Sequence, residues 1–146
     1  MYNVIELSNY IIAEFEKREA PITNLKLQKV LYYIQGYFMK SFGREAFRDE
    51  LYCWTYGPVV PMSYFEYNMN GSAFLYPKFN PNLSLSEIER DLIEKIIDKC
   101  KYIPSSRLVT MTHNEFPWQN ADLGQIITKQ SIKSFFAFAD PLEIRR

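Results

Sequence analysis

Histidine, cysteine and glycine are scarce in this chain: one His, two Cys and five Gly among 146 residues. A single histidine, His113, leaves no multi-histidine metal site to build, and Cys53 and Cys100 are too far apart for a CxxC pair. Two such cysteines do not make a disulfide framework either, and they read as small core residues. A mixed site of His113, Cys53, Cys100 and a carboxylate has no spacing behind it, and no local signature marks a Cys–His or Ser–His nucleophile. None of the glycines falls in a phosphate-cradling GxGxxG or GxxxxGKS pattern. Charge of one sign is also missing, because 17 Lys and Arg balance 17 Asp and Glu. That argues against a protein built to grip phosphate backbones, whose affinity comes from uncompensated cations. No apolar run approaches the roughly 20 residues that span a bilayer. The start Met1-Tyr2-Asn3-Val4-Ile5-Glu6 lacks the basic head of a signal peptide, so a soluble cytoplasmic protein with no membrane partner is expected. No repeat, low-complexity tract or Gly/Ser linker divides residues 1–146, which read as one domain.

What the chain does have is aromatic side chains: eleven Tyr, eleven Phe and two Trp, 16% of the residues. A core of this size cannot easily hold all of them, so some are expected at the surface, where Tyr and Trp favour recognition patches. Residues 2–18 place Val4, Leu7, Ile11 and Phe15 on one helical face, and Pro21 ends that helix. Thr23 or Asn24 can cap a second, central helix whose stripe is Leu27, Val30, Leu31, Ile34 and Phe38. Tyr33 and Tyr37 widen the stripe, Lys26, Lys29 and Lys40 leave a narrow polar face, and Gly43 is a terminator. Gly36 inside this helix points to close approach of another backbone.

Residues 47–54 alternate as a strand, Tyr56–Pro61 forces a turn, and Pro61 opens a short helix closed by Asn70-Gly71. Residues 73–77 could supply the strand that pairs with 47–54. Ser84 with Glu87 forms a helix-start pattern for a segment whose apolar face includes Ile88, Leu92, Ile93, Ile96 and Ile97, ended by Pro104. Ser105 caps a shorter helix, and a last one runs from Ser131. The fold class is therefore mainly α (α+β): a single compact helical domain around a buried central helix, with a small β-hairpin or short sheet.

Three segments in register carry a family pattern. Ile22–Tyr37 contributes Thr23, Leu27, Gln28, Tyr32, Tyr33 and Gly36; the second segment supplies Trp54, Tyr56, Gly57, Pro58 and Pro61; the third supplies Thr112, His113, Pro117 and Trp118. Together they resemble the Panacea antitoxin domain, the SocA-like and phage-associated GepA-like group, over roughly residues 4–138. The resemblance implies a helical domain of bacteria, prophages and mobile elements that binds and neutralises a partner toxin. In a SocA-like member it implies delivery of the toxin to the ClpXP protease, and it brings no cofactor, metal or enzymatic activity. The motif residues read as scaffold: the prolines stiffen a loop that Trp54 and Tyr56 anchor to the central helix, and His113 bonds a backbone group at a helix end. Partner contacts are then expected on ordinary surface, at Tyr64, Tyr67 and the Lys26/Lys29 face. The alternative is a nucleic-acid-binding, phage-associated regulatory protein, because residues 21–48 hold Lys26, Lys29, Lys40, Arg44 and Arg48 against Glu45 alone.

Overall fold

The computed structural model describes residues 1–144. Asn3 starts helix α1 (Val4–Lys17) by accepting the amides of Ile5 and Glu6, and the Val4–Leu7–Ile11–Phe15 face is buried. After Pro21, Thr23 accepts the Lys26 amide and caps α2 (Asn24–Phe42). Gly43, left-handed at φ 68°, closes that helix. Every residue from Leu27 to Met39 is buried, because α1, the later helices Glu87–Cys100, Ser105–His113 and Lys129–Phe138, and a small sheet all pack on α2. The polar lysine face does not survive this packing: Lys40 is exposed, Lys26 is half-buried and Lys29 is wholly inside.

Strand β1 (Leu51–Trp54) pairs antiparallel with β2 (Gly57–Val59) and with β3 (Ile126–Ile127), in the order β2-β1-β3. It begins later than expected, since Phe47 instead makes an isolated parallel bridge with Tyr2. Residues 73–77 do not pair with β1. They belong to an irregular strap, pegged by buried Leu75, whose amide donates to the Ile22 carbonyl. The hairpin turns at Thr55-Tyr56, so Gly57–Val59, expected as part of a turn, is strand instead, entered by Gly57 at φ 117°. Helix α3 (Pro61–Tyr67) follows with proline at its first position.

Helix α4 (Glu87–Cys100) has a complete capping box made by Ser86 and Glu89, one S-x-x-E pattern later than Ser84 and Glu87. Ile88 is consequently exposed rather than on the apolar face. Helices α5 (Ser105–His113) and α6 (Phe116–Gln119) lead to α7 (Lys129–Phe138), capped by Thr128. Helix α7 seats Phe136 edge-on against Tyr32, Tyr33 and Tyr37 of α2. A Cβ at Gly36 would lie 2.1 Å from that ring, so the close neighbour of Gly36 is a phenyl ring and not a backbone. Among the described residues no helix is long and apolar enough to cross a membrane.

Candidate protein-binding cleft

The three motif segments, distant in sequence, meet at the β1–β2 hairpin. Four side chains from α2, α5 and α6 hold its backbone. Lys29 Nζ donates to the Pro58 carbonyl at 2.8 Å, and Gln28 Oε1 accepts the Val60 amide at 3.0 Å. His113 Nε2 lies 2.8 Å from the Thr55 carbonyl, and Trp118 Nε1 donates to the Trp54 carbonyl at 2.9 Å. The His113 and Trp118 rings lie together with centroids 4.2 Å apart. His113 thus does bond a backbone carbonyl, but at the hairpin tip rather than at a helix end. Gly57 is required at the crossing, since a Cβ there would meet Lys29 Cε at 2.6 Å and Thr112 Oγ1 at 2.8 Å.

This clamp leaves the outer side of the hairpin as the wall of an open cleft of about 700 Å³. The first turn of α2 with Thr23 and Leu25 forms a second wall; Tyr64 of α3, Ser72, Ser105 and Leu123 complete the rim. Trp54 packs edge-on with Tyr64 at 5.0 Å and tilted against Phe65 at 6.0 Å, so it is anchored to α3 and not to the central helix. Tyr56 is anchored to nothing comparable and is 65% exposed. Beneath the rim, Asn24 and Gln28 belong to a fully bonded polar floor. Gln28 donates to Asn24 and Ser63, Ser63 and Ser8 share a hydrogen bond, and Asn24 donates to the Tyr64 carbonyl. These bonds tie α1, α2 and α3 to the hairpin and leave little slack in the floor.

Two ionisable groups are buried around the same helix. Burial pushes the Lys29 ammonium down to about 7. Glu115, between α5 and α6, is raised to about 7 by burial, against the opposing pull of the Tyr33 and Tyr32 hydroxyls that donate to it at 2.8 and 2.9 Å. Glu89 behaves oppositely: although burial raises it, hydrogen bonds from Arg44, Tyr2 and Ser86 hold its carboxyl at about 2. Cys53 lies against the carbonyls of Trp118 and Ala121, and burial followed by the charge of Asp122 pushes its thiol up. Burial pushes Cys100 up to about 12. Both shifts favour the neutral thiol over the thiolate.

Of the four residues expected to touch a partner, two are ruled out by position. Lys29 is 0% exposed and Tyr67 is 1% exposed, the latter beneath Lys78, whose ammonium stands 4.9 Å from its ring centroid. The heptad-like spacing of α2 concealed the burial of Lys29, because nothing local reveals that a strand will cross that face. Tyr64 lines the cleft, and Lys26 turns its ammonium over the Phe15 ring, 5.7 Å from the centroid. The basic cluster in 21–48 is not one surface either, since Lys29 is inside and Arg44 is paired with Glu89. Sequence reasoning missed Leu123, Ser72 and Ser105, whose only signal is position in space. It also missed Glu115, although a lone acid beside Pro117-Trp118 was a visible hint.

Residues 27–119 match the family described as antitoxin SocA-like, Panacea domain. The antitoxin SocA of Caulobacter vibrioides (strain NA1000 / CB15N) is 27% identical over 152 residues, covering 90% of this chain and 81% of that protein. No solved structure matches. The chain belongs to the SocA-like Panacea antitoxin family.

Proposed function

We propose that this SocA-like Panacea protein is an antitoxin that neutralises a partner toxin by direct binding, with the hairpin cleft as the contact. Family membership and the likeness to a protein named antitoxin SocA support the antitoxin role. One observation carries the choice of site: the three motif segments converge on the hairpin backbone and leave Tyr56 outward on an open apolar cleft. A rigid wall with exposed aromatics is what protein recognition needs, because little ordering entropy is lost when it is covered. A stable contact covers about 1,200–2,000 Å² in total, within reach of one face of this domain. The reading involves no bond-making step, cofactor or nucleic acid. Delivery of the bound toxin to a protease such as ClpXP is a variant that uses the same contact.

The test is co-expression with the product of the neighbouring open reading frame in a host that this product arrests. Wild-type protein is expected to restore colony formation with or without ClpXP. Tyr56→Lys is expected to fold normally and lose the rescue. Arrest that wild type does not relieve overturns the antitoxin role, and rescue only where ClpXP is present overturns direct neutralisation in favour of delivery.

A further inference from the structure

None of the fifteen residues lining the cleft carries a formal charge. The neighbouring charges are directed elsewhere: Lys26 lies over Phe15, Lys29 points into the core onto Pro58, and Asp122 is exposed outside the lining. The neutrality extends beyond the cleft. Residues 51–77 contain one charged side chain, Glu66, and it is already paired with Lys78 at 2.9 Å. The same stretch and its continuation hold much of the molecule's exposed apolar surface. Among the described residues, seven of the fifteen large exposed hydrophobics lie between Tyr56 and Phe79, including Met62, Phe65, Met69 and Phe74. A charge brought into such a surface would lose part of its water and find no counter-charge, which is unfavourable. The occupant must match this neutrality.

Strand addition to the hairpin is closed off. Of the two sheet edges, β2 offers Pro58, which has no N–H, and its carbonyl and the Val60 amide are taken by Lys29 and Gln28. The other edge, β3, is two residues long and lies outside the lining. Recognition therefore rests on side chains entering the cleft, not on a backbone ladder. The aromatic walls and a space of about 700 Å³ suit large apolar side chains.

We infer that the cleft takes an uncharged segment of a partner polypeptide, anchored by at least two large aliphatic or aromatic side chains and bound without ionic contacts. This deepens the proposed antitoxin contact and rests on the same cleft, but its test needs no toxin. Wild-type protein is used to select from a phage-displayed library of random 16-residue peptides, and the enriched peptides are synthesised and titrated. The expected peptides share two or more large apolar residues free of Asp, Glu, Lys and Arg between them. Their Kd should change less than twofold between 50 and 500 mM NaCl, and it should weaken at least tenfold in Tyr56→Lys and in Leu123→Glu. Both positions are more than half exposed, so both variants should keep the wild-type melting temperature. Enrichment of charged peptides, a steep salt dependence, binding that both variants retain, or no enrichment at all overturns the inference. If rescue fails while the peptides bind, the antitoxin role is wrong and the ligand chemistry stands. If rescue works and the peptides fail, the toxin docks by other chemistry.

Discussion

At Gly36 the absence of a side chain sets how closely α7 approaches α2. In a bare helix, alanine would be favoured there by up to about 1 kcal/mol. Here its methyl would sit 2.1–2.4 Å from three atoms of the Phe136 ring, which is itself buried and packed edge-on against Tyr32, Tyr33 and Tyr37. Overpacking of that kind costs about 1–3 kcal/mol and outweighs the propensity gain. Gly36→Ala is therefore expected to lower stability, read as a shift in the urea midpoint at constant slope. Adding Phe136→Leu should recover part of the loss, so that the double variant is less destabilised than the two single changes combined. Simple additivity would refute the clash. Gly36 was visible in the sequence as a residue that needed a reason, but a ring contributed by a helix one hundred residues away was not.

At the level of elements, α4 shows tertiary contacts choosing between two equivalent local signals. Ser84 with Glu87 and Ser86 with Glu89 are both capping-box patterns. The second is formed because Glu89, besides the Ser86 amide, accepts the Tyr2 hydroxyl at 2.5 Å and the Arg44 guanidinium, contacts that tie it to the segment before α1 and the segment after α2. Ser86→Ala should lower stability by about 1 kcal/mol, whereas Ser84→Ala should stay within about 0.5 kcal/mol, both by equilibrium denaturation. Equal effects would mean that the helix frays between the two starts. The sheet follows the same logic. The first strand was legible from alternation, but the partners of β1 were not: glycine and proline at 57–58 read as a turn and are strand β2. Strand β3 is two residues from the far end of the chain, and a pairing that short leaves no periodicity to read.

For the whole molecule, buried charges around α2 give a stability profile with more than one limb. Lys29 stays protonated to about 10.5 when unfolded but only to about 7 when folded, so stability rises with pH between those values. Glu115 keeps its proton to about 7 when folded and releases it near 4.5 when unfolded, so stability falls as pH rises across that window. Glu89, held near 2 in the fold, contributes stability above its unfolded value that is lost as pH drops from 4.5 toward 2. The three together give a maximum near pH 5, a trough near 7 and a recovery that lasts to about pH 9, where the raised Cys100 and Cys53 thiols begin to oppose it. Urea midpoints between pH 3 and 9 should trace that shape. Lys29→Met should flatten the limb above 7, and Glu115→Gln the limb between 4.5 and 7. A profile unchanged by either variant would show that water reaches these groups in the folded state.

The sequence by itself determined the helical class, the buried central helix with a cap at Thr23 or Asn24 and a stop at Gly43, a strand before Gly57, and the family. The elements are written in local spacing, over which periodicity, capping and turn chemistry act, and the family in three such local patterns taken in order. Only the tertiary structure decided that Lys29 and Tyr67 lie inside, that Trp54 leans on α3, and that Tyr56 and Leu123 line one cleft. The reason is physical: burial and cleft formation depend on which faces of separate elements meet. A lysine on a helix has the same local pattern whether solvent or a strand lies over it.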